Sequence, residues 1–88
     1  MTGASAPILV YVVEGGEFED HDVIGAFVDR SAAVLCAAEY TLKHGKTNPR
    51  TREPRIVADG AVVTIWDARE GAHVGTIDVN DALAEAQA

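Results

Sequence analysis

ILVYVVEGGEFEDHDVIGAFVDRSAAVLCAAEYTLKHG, residues 8–45, decides the fold. Its first part holds two β-rich apolar runs, ILVYVV at 8–13 and VIGAFV at 23–28. Between them lies EGGEFEDHD, residues 14–22, with two glycines and five acids before the second run. Two apolar runs joined by a glycine-bearing polar loop predict a hairpin. Gly25 inside the second run predicts a bulge or a close backbone approach. The amphipathic stretch SAAVLCAAEYTLKH, residues 31–44, then predicts a helix. Asp29 or Ser31 can accept the unpaired amide hydrogens at its start. Lys43 and His44 suit its last turn, and Gly45 suits the left-handed position just beyond it. Leu35, Ala38 and Leu42 form one stripe at spacings of three and four, and Val34, Ala37 and Thr41 form its neighbour.

Downstream, Pro49 and Pro54 forbid helix, so residues 46–54 read as one long irregular segment. Ile56 and Val57 restore apolar character. Asp59-Gly60 falls between IVA and AVVTIW, which predicts a tight type I′ hairpin. A strand at 61–66, a turn at 67–72 and a strand at 73–79 follow, with Gly75 as a bulge. The tail NDALAEAQA predicts two helical turns capped by Asn80, stable only if Leu83 docks.

These elements define an α+β fold: an antiparallel sheet of four to five strands with one α-helix packed on one face, in ββαββ order. The expected organisation is a disordered leader at 1–7, a single domain at 8–79, and a short helix or frayed tail at 80–88. Tyr11, Phe27, Trp66 and eleven valines leave few polar strand positions. This predicts that the second sheet face is partly buried in a homodimer or larger homo-oligomer.

Bulk numbers narrow the function classes. Eighty-eight residues make one domain, and Leu, Ile, Val and Phe supply 22 of them, enough for a modest core. No apolar run approaches the roughly 18 residues of a membrane span, so no membrane partner is expected. Cys36 is the single cysteine, which excludes an intramolecular disulfide and points to a reducing cytoplasm. Alanine and valine richness suits a GC-rich bacterium or its phage.

Charge is unevenly distributed. KHGKTNPRTREPR, residues 43–55, holds five basic residues against one acid, a formal charge of +4. The other 75 residues hold two arginines against thirteen acids, a formal charge of −11. A basic loop on an acidic body is an electrostatic handle. Lys43 belongs to the helix end, so the expected binding residues are Lys46, Arg50, Arg52 and Arg55. The handle fits a protein partner. A second reading is a nucleic-acid accessory with those side chains on phosphates, though no aromatic is interleaved for base stacking. A third inverts the sign: the acids of 14–22 with Asp67, Glu70, Asp78, Asp81 and Glu85 would mimic nucleic acid.

Catalytic and metal patterns are absent from the sequence. Glu14, Glu17, Glu19, Asp20, His21 and Asp22 offer hard oxygen ligands, but not at the spacing of a calcium loop. His21, His44 and His73 have no second His or Cys at zinc spacing. No phosphate loop, dinucleotide fingerprint or nucleophile elbow occurs. The chain is therefore expected to be no enzyme, with no cofactor and no bound metal.

Val10, Tyr11 and Val12, then Ile24, Gly25 and Phe27, then Ser31, Ala33 and Ala37 follow a loose pattern. It resembles small bacterial and phage domains of unknown function, which open with a strand, an acidic loop, an Ile-Gly-aromatic strand and a Ser-initiated helix. The resemblance spans about 35 residues and implies the hairpin-then-helix fold without implying any site. The basic second half departs from it.

Overall fold

A computed structural model describes residues 7–16 and 22–88. Element order is β1 (Leu9–Gly15), β2 (Asp22–Phe27), α1 (Arg30–His44), β3 (Lys46–Thr47), β4 (Ile56–Ala58), β5 (Ala61–Asp67), β6 (Ala72–Ile77) and α2 (Val79–Gln87). The fold is α+β, with a four-stranded antiparallel sheet in the order β2-β1-β5-β6 and a second sheet of β3 and β4. The ββαββ order with a single helix is thus too simple. A second helix closes the chain, and two short strands form a ribbon of their own.

Strand alternation sends cross-strand rows to opposite faces. Phe27, Tyr11, Ile65 and Gly75 form one inner row, and Gly25, Val13, Val63 and Ile77 the next. These rows meet α1, which buries Ala33, Val34, Ala37, Ala38 and Thr41. Small side chains let the helix axis approach the sheet, and the β-branched valines fill the strand side. Of the two helical stripes, the one through Val34, Ala37 and Thr41 therefore faces inward. Leu35 and Leu42 remain exposed, and only Ala38 of their stripe is buried.

Local signals were realised with informative changes. Asp29 is the N-cap of α1 and its carboxylate accepts from the Ala32 amide at 3.2 Å. Gly45 does end α1, but with φ −64° rather than a left-handed conformation. Crowding, not a positive φ, is what calls for glycine: a Cβ there would lie 2.5 Å from the Thr41 carbonyl oxygen. The two bulges of the four-stranded sheet fall beside the glycines that signalled them, with Ile24 and Val74 as the extra residues.

The Asp59-Gly60 hairpin does not form. β4 pairs with β3 through Lys46↔Ala58 and Thr47↔Ile56, whereas β5 pairs with β1 and β6. Asp59, at φ 59°, instead turns a corner between the two sheets. Gly60 is required because a Cβ would come within 2.5 Å of Val79 Cγ1. Residues 46–54 are accordingly not irregular throughout, since Lys46 and Thr47 form a strand.

α2 docks on α1 through Ala82, which is fully buried, rather than through the half-buried Leu83. Asp78, not Asn80, occupies its N-cap position. Arg30 joins the start of α1 to the end of α2 by two hydrogen bonds to Glu85, from Nε at 3.0 Å and Nη2 at 2.7 Å. Glu85 is exposed, and the Arg30 hydrogen bond and charge hold its carboxyl below the usual range.

Both helices lie on one side. The outer rows are Val23, Glu14 and Val62; Ala26, Val12, Thr64 and Thr76; and Val10, Trp66 and His73. Tyr11 and Phe27 belong to the inner face, so of these three aromatics Trp66 alone faces outward.

Candidate interaction surfaces

The basic segment is the tip and flank of the β3–β4 ribbon. Asn48 shapes the tip: its side-chain oxygen accepts from the Arg50 amide at 2.9 Å, and its carbonyl accepts from the Thr51 hydroxyl at 3.5 Å. Arg52 adopts φ 57°, the left-handed region that a long side chain rarely enters. The tip thereby reverses direction with Arg50 and Arg52 both exposed.

One contact fixes the ribbon's base to α2, and an exposed ion pair closes the base itself. Asn80, in the first turn of α2, donates from Nδ2 to the Ile56 carbonyl and accepts at Oδ1 from the Ile56 amide, each at 2.9 Å. Lys46 Nζ lies 3.1 Å from the Asp59 carboxylate. Asn80 thus acts as one more residue of a strand edge, a role hidden from a reading that made it a helix cap. A short side-chain amide, one methylene from the backbone and carrying both a donor and an acceptor, is the only signal it gave.

The four expected binding residues do not act as one set. Lys46 is engaged by Asp59. Arg50 and Arg52 share the tip, and among the described residues neither enters an ion pair. Arg55 stands at the base, where it lines a cleft of about 450 Å³ with Asp59, Asp78 and Asn80. The handle that remains is two tip guanidiniums with Arg55 behind them, opposed locally by Glu53.

The open sheet face is the other candidate surface. Trp66 Nε1 donates to Thr64 Oγ1 at 3.3 Å, and the Thr64 hydroxyl donates to the Glu14 carboxylate at 2.8 Å. His73 Nε2 is 3.1 Å from Thr76 Oγ1, and its ring meets Trp66 edge-on with centroids 5.2 Å apart. The Trp66 indole N–H, the Thr64 hydroxyl and His73 Nε2 therefore each find a partner within this face.

The remaining chemistry is sparse. Of the acidic loop, Glu17, Glu19, Asp20 and His21 lie outside the described residues, as does most of the expected leader. Among the described residues no group of three or more metal-ligating side chains gathers. Cys36 is half-buried, and burial first, then the Glu39 charge, pushes its thiol up, away from nucleophilic use. The acids proposed for mimicry are spread: Glu14 on β1, Asp67 at the end of β5, and Asp78, Asp81 and Glu85 at or within α2. No helix among the described residues is long and apolar enough to cross a membrane.

No family model, curated protein or solved structure matches the chain. The class that the architecture defines is a small α+β domain with a clamped basic ribbon and an open sheet face.

Proposed function

We propose that the chain is a small non-enzymatic interaction module that holds an acidic surface of another protein with the β3–β4 ribbon. The observation that carries this reading is the construction of the ribbon. Its base is clamped by Asn80 and Lys46, while its tip spends a left-handed residue to display Arg50 and Arg52. Guanidiniums offer planar, bidentate donors to carboxylates, which suits a compact acidic patch. A long phosphate polymer would also meet the acidic body, whose charge opposes it. The single cysteine fits a reducing cytoplasm, and the resemblance of the first half fits a bacterial or phage accessory role.

Anisotropy titrations at low salt with a labelled poly-glutamate peptide and with duplex DNA test the reading. The peptide is expected to bind, and the double substitution Arg50→Glu, Arg52→Glu to abolish binding. No peptide binding would remove the proposal. Tighter binding of duplex, with a log–log salt slope near −0.9 per phosphate contact, would replace it with the nucleic-acid reading.

A further inference from the structure

We propose that the outer face of the four-stranded sheet packs against the same face of a second copy of this chain. This inference is independent of the ribbon, which lies in the other sheet. The face is apolar at Val10, Val12, Val62 and Trp66, and Trp66 is 38% exposed. Its area is near what association requires. Four strands about 4.8 Å apart and roughly six residues long, at about 3.4 Å per residue, span about 400 Å². Two such faces, with side-chain relief, remove about 1,000 Å² from water, where specific interfaces begin.

Charge and polarity favour a second copy as the occupant. The chain carries −7 overall, yet the described strand positions of this face contribute one carboxylate, Glu14, which already accepts from Thr64. A basic partner would gain little there, whereas a like face meets almost no like charge. The relay from Trp66 through Thr64 to Glu14 gives the indole N–H and the Thr64 hydroxyl their partners before association, so covering those two groups strands neither. Two copies also share one sheet twist, the condition for aligned face-to-face packing about 10 Å apart. A two-fold pairing closes on itself and uses the patch once in each copy.

An interface of this size falls among the weak, transient ones, and the expected dissociation constant is on the order of 10–100 μM. Sedimentation equilibrium on the full chain from about 1 μM to 1 mM is expected to pass from monomer to dimer. Trp66 is the only tryptophan, so its emission reports on this face. It is expected to shift to the blue over the same concentration range. Val12→Lys is expected to weaken association roughly tenfold or more, because a charge would be buried without a partner. Arg50→Glu with Arg52→Glu is expected to leave it unchanged. A monomer at the highest concentration overturns the proposal. So does a dimer formed while Trp66 emission stays constant, a result that needs no variant to fold. A dimer that a folded Val12→Lys chain forms equally well overturns it too.

Discussion

Asn80 spends its whole side-chain amide on one residue, Ile56, donating to its carbonyl and accepting from its amide at 2.9 Å each. The pair joins α2 to the ribbon across 24 residues of sequence, and it copies the two-bond exchange of an antiparallel strand pair. It fixes the basic ribbon to the helical layer at its base. Ribbon geometry therefore depends on the C-terminal helix.

Replacing Asn80 with Ala removes both bonds in a half-buried setting, at a cost of about 2 kcal/mol. Asn80→Asp keeps the acceptor but sets a carboxylate oxygen against the Ile56 carbonyl, so it is expected to destabilise as well. Urea unfolding measures the loss. Amide exchange adds the location: Ile56 exchanges faster in Asn80→Ala, while Val63 in the central sheet changes only with global stability.

Thr41 is the one buried polar residue among the described residues, and its hydroxyl oxygen accepts from the Ala61 amide at 2.9 Å. That bond ties α1 to the first residue of β5. Thr41→Val keeps the shape but leaves the Ala61 amide without its acceptor, at about 1–3 kcal/mol. Thr41→Ser retains the oxygen and loses one methyl, about 1 kcal/mol. Thermal or urea unfolding is expected to rank the wild type above Thr41→Ser and Thr41→Ser above Thr41→Val.

The main sheet and α1 were legible in the sequence because their signals are local: apolar runs, a capping Asp29, and glycines within one residue of each bulge. Which stripe of α1 faces the sheet was not legible. Leu35 and Leu42 outweigh Val34, Ala37 and Thr41 in hydrophobicity, but close helix–sheet approach selects small residues. The failed Asp59-Gly60 hairpin has a similar origin. The dipeptide encodes a turn, and pairing is decided by distant partners, here Lys46 and Thr47 for β4 and β1 for β5. For the candidate ribbon, the charge run overlaps its tip and flank. It could not disclose that Lys46 is spent on Asp59 or that Asn80 holds the base.

The Arg30–Glu85 pair ties the helices together and makes stability pH-dependent. Arg30, through its hydrogen bonds and charge, lowers the folded carboxyl of Glu85 below its unfolded value. Its contribution is thus present above the unfolded carboxylate range and is lost as pH falls through the folded value. Glu85→Gln is expected to be less stable than wild type at neutral pH, and the two are expected to converge at strong acid. Both side chains are exposed, so high salt narrows the gap. Urea midpoints from neutral to acid pH, at low and high salt, check the sign.

Arg52, at φ 57°, carries a conformational cost that glycine does not. Left-handed backbone costs an L side chain about 1–2 kcal/mol, partly offset by the entropy that glycine loses on folding. Arg52→Gly is therefore expected to match or exceed wild-type stability by up to about 1 kcal/mol. Arg50→Gly, without positive φ, is expected to gain nothing. Should Arg52→Gly lower the melting temperature, the left-handed tip is wrong. If it stabilises the chain while weakening poly-glutamate binding, the strain is retained for display.

Gly60 and Val79 are coupled through space. A Cβ on residue 60 would stand 2.5 Å from Val79 Cγ1 and 3.1 Å from Cγ2, so neither methyl can yield by a simple rotation. Gly60→Ala is expected to destabilise by about 1–3 kcal/mol through this overpacking. Val79→Ala alone loses two half-buried methyls, a cost of about 1 kcal/mol. Combined, the second substitution removes the obstacle to the first, so the double variant is expected to be more stable than the sum of single losses implies. A favourable coupling of at least about 0.5 kcal/mol in a urea double-mutant cycle identifies the clash as the reason for glycine. Strict additivity would mean that Gly60 is required for some property of the corner other than its approach to α2.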